Sequence, residues 1–245
     1  SGLGKTVSEQ AGSIPVPSIE IKEATGKEDV RMTIDGLNFI FKNYPGTEAP
    51  SEMHVYIEDY CTLCPGENIT QTMHNLLTPR GAKVRDPKAM AEAIDDAITR
   101  FPNTKIIIGT HHWPTWNVAG ENDANNKCLK LMEKQRDMYL FFNNQVIHML
   151  NSGYNMEEIA NNFALPQSLA NEFYCRGYYG SLNHNAKAVA QRYIGWWDGN
   201  PANYFKYTDV EIAKRFVADM GGESAVLRKA YDYFELKDYR WTVEL

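Results

Sequence analysis

At 245 residues, 43% of them apolar and 12% aromatic, the chain can fill a packed core, which excludes a disordered or fibrous protein. A net charge of −6 with both signs interspersed argues against a non-specific nucleic-acid binder, which needs a basic face. Four cysteines are too few for a disulfide scaffold, and no apolar run approaches the ~18 residues of a membrane span.

Residues 1–17 are rich in Gly, Ser and Pro and read as an arm or loop without a signal-peptide pattern. Residues 19–24, 30–34 and 37–42 read as short strands. Asp35-Gly36 between the last two is the strongest hairpin signal in the chain. Residues 44–50, with two prolines and a glycine, predict a rigid loop. Strands are expected at 53–57 and 60–63, and Pro65-Gly66 then turns the chain at Glu67. A short helix is expected over 70–77 and a clear one over 87–101, with Pro87 in its first turn. Residues 105–109 (KIIIG) look like a buried strand that runs into His111-His112.

After about residue 120 the pattern becomes helical. A long amphipathic helix is expected over 126–150, ended by Gly153. Asn155 with Glu158 fits a capping box that opens a helix to Phe163, and Pro166 opens another. Further helices are expected at 186–195, 209–219 and 223–234. Trp196-Trp197 reads as a helix end with aromatic anchors in a core. The fold class is therefore α/β followed by all-α. The domain boundary is placed between residues 120 and 121.

The stretch 44–114 concentrates the chemistry. Glu48, Glu67 and His112 lie next to predicted strand ends, where carboxylates and an imidazole can hold a divalent ion. Each of them alone reads as a solvated or satisfied side chain; three at the mouths of successive strands bring the metal reading level with that one. His74, Asn75, Arg80, Lys83 and Arg85 crowd one short segment after Glu67, an anion-binding candidate because guanidinium forks match sulfate or phosphate oxygens. A solvated basic turn remains the alternative. Cys61-x-x-Cys64 has no second pair at zinc spacing and reads as incidental thiols. Met132, Met138 and Met149 read as helix packing.

Many unusual blocks then occur in order: Pro45-Gly-Thr-Glu-Ala-Pro-Ser-Glu-Met53; Gly66-Glu-Asn68; His74-Asn-Leu76; Arg80-Gly-Ala82; Val84-Arg-Asp86; His111-His-Trp-Pro114; Gln135-Arg-Asp137; Arg176-Gly-Tyr-Tyr-Gly180; His184-Asn185; and Gly195-Trp-Trp-Asp-Gly-Asn-Pro-Ala202. Together they resemble the alkylsulfatases of the metallo-β-lactamase superfamily. The resemblance implies the second half of an αββα sandwich (1–120) followed by a helical dimerisation domain (121–245). It implies zinc-dependent hydrolysis of alkyl sulfate esters, two zinc ions in the intact site, and a homodimer. By position it implies Glu48, Glu67 and His112 as metal ligands, and Asn75, Arg80 and Arg85 as sulfate-binding residues. Tyr178, in the Arg176–Gly180 block, reads either as lining the pocket or as domain-interface packing. His74 is the candidate general acid. A periplasmic or secreted location follows from the resemblance alone.

The family's His-x-His-x-Asp-His ligand loop is absent from these residues. The chain is therefore expected to be a central piece of a longer protein: an excerpt, a proteolytic product or one chain of a nicked protein. A companion chain would then carry the upstream ligands, and this chain alone is expected to be inactive. Two other functions stay open: a different hydrolase of the superfamily, or a catalytically incomplete chain with a structural or interaction role.

Overall fold

The hairpin at Asp35-Gly36 forms as expected. Both residues have positive φ (49° and 80°), the geometry of a two-residue primed turn. In the computed structural model, which describes residues 16–21, 29–118 and 126–245, that turn joins β1 (Val30–Ile34) to β2 (Leu37–Asn43). Strands β3 (Met53–Ile57), β4 (Thr62–Cys64), β5 (Ile106–Ile107) and β6 (Thr115–Trp116) complete a six-stranded sheet in sequence order. Neighbours are antiparallel except β4 and β5, which pair in parallel because α1 (Pro87–Arg100) lies between them in the chain.

One face of the sheet packs on α1. Tyr56 stacks on Phe101 at 4.4 Å, and the Tyr44 hydroxyl donates to Asp96 on α1 at 2.5 Å. Asp86 caps α1 by accepting from Lys88 and Ala89 N–H, and Pro87 sits at the first position, as its fixed φ suits. The far side of α1 packs against α2 (Lys127–Asn151). Its Met132, Met138 and Met149 are core residues, as read from the sequence. Then come α3 (Met156–Asn162), α4 (Gln167–Ala170) and α5 (Leu182–Ile194), with α3 on α5 and α5 on α2. The Asn155–Glu158 capping box is present with both hydrogen bonds.

Contacts divide the chain after Asp198. α2, beyond residue 120, packs on α1 before it. The second unit holds α6 (Pro201–Tyr204), α7 (Asp209–Asp219), α8 (Glu223–Glu235) and α9 (Tyr239–Glu244). Thr208 and Glu211 form a capping box on α7, and Tyr233 meets Trp241 edge-on at 6.3 Å. Mixed sheet first and helices after is the expected fold class. No helix among the described residues is long and apolar enough to cross a membrane.

Several expectations need correction. Residues 70–77 form no helix: Met73 pairs in parallel with Gly177, and the backbone there is held by partners outside the segment. The strand expected at 60–63 begins at Thr62, because a 3₁₀ turn over Glu58–Tyr60 ends on Cys61 in the left-handed region (φ 48°). Only Ile106 and Ile107 of 105–109 join the ladder. Residues 19–21 are not a strand; 22–24 and the arm at 1–15 lie outside the described residues. Trp196 and Trp197 are 67% and 41% exposed, so they do not anchor a core here.

Candidate metal centre

Three side chains from separate segments converge. Glu48 comes from the β2–β3 loop, Glu67 from the turn after β4, and His74 from the irregular segment that follows. One donor atom of each lies within 4.8 Å of the other two. The loop that carries Glu48 is held at both ends: Tyr44 N–H donates to Glu52 O at 2.7 Å, and Glu48 N–H to Asn68 Oδ1 at 3.2 Å. Gly66 turns the chain at φ 59°, and the Glu52 carboxylate occupies the space where a Cβ would stand, 2.0 Å from Oε1.

His74 is buried, and its Nδ1 lies 2.8 Å from Asn75 O. A carbonyl can only accept, so Nδ1 carries the proton and Nε2 a lone pair. That Nε2 is buried without a hydrogen bond and faces Glu67 Oε2 at 3.6 Å. Two acceptors facing one another in a buried place is unfavourable unless a cation joins them. A neutral imidazole with its other nitrogen held by a carbonyl is the usual state of a metal-ligating histidine. The donor set of two carboxylates and one imidazole suits a divalent ion.

Arg85 holds the other side. Its Nε and Nη2 donate to Glu48 Oε1 at 2.7 and 2.5 Å, and Nη1 donates to Asn75 Oδ1 at 2.6 Å and Asn75 O at 3.2 Å. Burial pushes the Glu48 carboxyl up, but the Arg85 charge and hydrogen bonds outweigh it and leave Glu48 below its ordinary value. Glu67 is raised by burial and by the Glu48 charge. Glu52 is raised by burial, with the Glu48 charge adding, to about 7. The His74 imidazole is pushed down by burial to about 4, so it is neutral at pH 7.

His111 and His112 sit across the same cavity, of about 350 Å³, lined also by Glu67, His74 and Tyr179. His111, in a left-handed conformation (φ 65°) and mostly exposed, reaches Glu67 Oε1 with Nε2 at 2.7 Å. His112 lines the cavity but stands outside the converging trio. Asn75 and Arg80 line a second cavity, of about 550 Å³, with Tyr179, His184 and Lys187. Arg85 faces a third, of about 670 Å³, with Lys83, Arg192 and Glu48. The predicted anion residues are therefore split: Arg80 on one cavity, Arg85 on another, with Asn75 bonded to Arg85 between them. Tyr178 is 75% exposed and lines none of these three cavities, whereas Tyr179 lines two and meets the His74 ring edge-on at 5.0 Å. Cys61 and Cys64 are free thiols and join no metal-ligand group among the described residues.

Sequence reading missed Glu52, His54 and Asn68. Asn68 Nδ2 donates to His54 Nε2 at 3.0 Å, and both side chains are fully buried. The signal available was the Gly66-Glu-Asn68 block itself, read only for its glutamate.

Residues 155–245 match the family described as alkyl sulfatase dimerisation. The whole chain is 42% identical to the alkyl/aryl-sulfatase BDS1 of Saccharomyces cerevisiae, covering 36% of it. It is 40% identical to an (R)-specific secondary-alkylsulfatase of Pseudomonas sp., again covering 36%. The structure superposes on the stereoselective inverting sec-alkylsulfatase Pisa1 from Pseudomonas sp. with a TM-score of 0.84, at 40% identity, over 94% of this chain and 35% of that one. The chain thus spans about a third of the length of these relatives.

Proposed function

Because the chain is homologous along its whole length to about a third of an alkylsulfatase, we propose that the protein it comes from hydrolyses alkyl sulfate esters to an alcohol and inorganic sulfate. The observation that carries this is the lone pair of His74 Nε2, buried beside Glu67 and within reach of Glu48, in a chain similar to alkylsulfatases. Zinc is the ion we assign, and when bound it supplies Lewis acidity and a lowered pKa for water. Glu48, Glu67 and His74 hold it, with His112 on the rim of the same cavity. Zinc takes about four ligands per ion. Three donors cannot close two such sites, so two ions would need ligands beyond this trio of described residues.

Arg80, exposed in a cavity with Lys187 and His184, is placed to meet a sulfate head. Arg85 is engaged mainly with Glu48 and Asn75, so its first role is to orient Glu48. Attack at sulfur expels an alkoxide, which needs an acid; attack at carbon expels sulfate, which does not. His74 is neutral at pH 7 and its one N–H is committed to Asn75 O. We therefore favour attack at carbon, and ¹⁸O from labelled water should appear in the alcohol. The match to a dimerisation family supports a homodimer.

Dodecyl sulfate, nitrocefin and bis(p-nitrophenyl) phosphate, offered in parallel to the protein that carries this chain, test the reading. Sulfate release from the first, without turnover of the others, is expected. Turnover of nitrocefin or of the phosphodiester with no sulfate release would replace the proposed reaction by another hydrolysis.

A further inference from the structure

Two carboxylates repel one another unless a cation stands between them, so the backbone has to impose their spacing. Glu48 and Glu67 come from separate segments and bring an oxygen each within 4.8 Å. Asn68 joins those segments. Its backbone N–H donates to Pro65 O at 3.2 Å and closes the four-residue turn that carries Glu67. Its side-chain Oδ1 accepts from Glu48 N–H at 3.2 Å. The turn is anchored in its own right, since Gly66 O accepts from Thr110 N–H at 3.3 Å. One residue thus grips both carboxylate-bearing segments, one with its main chain and the other with its side chain.

The Asn68 carboxamide has only one orientation open to it. Because Oδ1 accepts from a backbone N–H, Nδ2 is the end that meets His54 Nε2, at 3.0 Å, and that ring nitrogen must accept. The His54 proton is then on Nδ1, which is buried without a hydrogen-bond partner among the described residues. Asn68 and His54 are both 0% exposed, and the His54 ring lies against the Tyr44 ring at 4.2 Å. A buried polar pair that leaves a donor unpaired is less stable than apolar side chains of the same shape would be. What the pair secures is direction: His54, fixed on β3, holds the carboxamide so that Oδ1 stays aimed at the Glu48 peptide.

We propose that Asn68 is a positioning residue of the metal centre: it sets how far apart the Glu48 and Glu67 carboxylates stand, with His54 as its brace on β3. The inference rests on the proposed roles of Glu48 and Glu67 as metal ligands and on no other member of the site.

Zinc affinity of the protein that carries this chain, measured against a chromophoric chelator, tests it with Asn68→Ala, Glu48→Gln and the two combined, beside Val189→Ala, a core truncation on α5. Asn68→Ala should weaken zinc binding by roughly 10-fold or more, the usual loss when an outer partner of a ligand is removed. Val189→Ala should leave it unchanged. In the Glu48→Gln background Asn68→Ala should add less than about 3-fold, because it acts through Glu48 and the two effects are coupled. An asparagine that only supports the core would give the same loss in both backgrounds. Parental affinity in Asn68→Ala, or equal losses in the two backgrounds, would overturn the proposal and leave the ligand reading standing; unchanged affinity in Glu48→Gln would overturn both. Should Asn68→Ala not fold, His54→Leu and His54→Gln decide. Glutamine offers an Oε1 that can accept from Asn68 Nδ2, and leucine offers nothing. Zinc affinity should therefore fall several-fold in His54→Leu and stay near parental in His54→Gln, and equal affinities in the two would overturn the proposal.

Discussion

Arg85→Met removes the cation that neutralises Glu48 while keeping much of the side chain's bulk. The two side chains are 10% and 9% exposed, so the pair is a buried one. Deleting one partner of a buried pair strands the other charge and costs about 3–5 kcal/mol, against about 0–1 kcal/mol for an exposed pair. Here the stranded carboxylate sits beside Glu52 and Glu67, which places the expected loss at the buried end of that range. The pH dependence has a definite sign. Glu48 lies below its ordinary value of 4.5 in the folded chain. It therefore contributes stability that is present above that pH and lost as pH falls through the folded value. The gap between parent and variant should be largest at pH 8 and shrink below pH ~4.5. Urea unfolding of both proteins at pH 8, 6 and 4, free of metal, measures it. A gap under about 1 kcal/mol at pH 8 would mean that the pair behaves as an exposed one. An equal gap at pH 4 and pH 8 would mean that Arg85 acts through packing and not through charge.

Two buried imidazoles should make the chain sensitive to mild acid. Burial pushes His54 down to about 3 and His74 to about 4. Folded values below the unfolded one give stability that is present above pH ~6.5 and lost as pH falls toward 3–4. For His54 the loss reaches up to ~5 kcal/mol at pH 3, so the stability of His54→Gln should fall less steeply than the parent's between pH 6.5 and 4; parallel slopes would contradict the assignment. Gly66→Ala places a Cβ against Glu52 at a positive φ and should cost about 1–3 kcal/mol in thermal unfolding. Adding Glu52→Ala should return about 1 kcal/mol or more through the lost clash, and strict additivity would show that Glu52 is not what fills the space.

The parts of the fold legible in the sequence were those fixed by local chemistry. Asp35-Gly36 can take positive φ at both turn positions, Asp86-Pro87 starts α1, and Asn155 with Glu158 starts α3. Segment 70–77 was misread because its conformation is set from far along the chain, by Arg176, Tyr139 and Asn185. Local propensity carries no trace of such partners. In the site, Glu48 and Glu67 were legible as acids at strand ends beside turn-forming residues. His74 was marked for its place in the cationic segment, and its part in the ligand trio appears only once the chain folds back on Glu67. His54 and Asn68 were hidden because burial, not residue type, makes them partners.

The central claim is that Glu48, Glu67 and His74 form one arm of a zinc centre. Zinc affinity of the protein that carries this chain, titrated for the parent, Glu48→Gln, Glu67→Gln, His74→Gln and the exposed control His148→Gln, tests it most directly. The account predicts that each of the first three variants weakens zinc binding by roughly 10-fold or more, as loss of a ligand does, and that His148→Gln leaves it unchanged. Zinc binding that survives all three substitutions at parental affinity would contradict it.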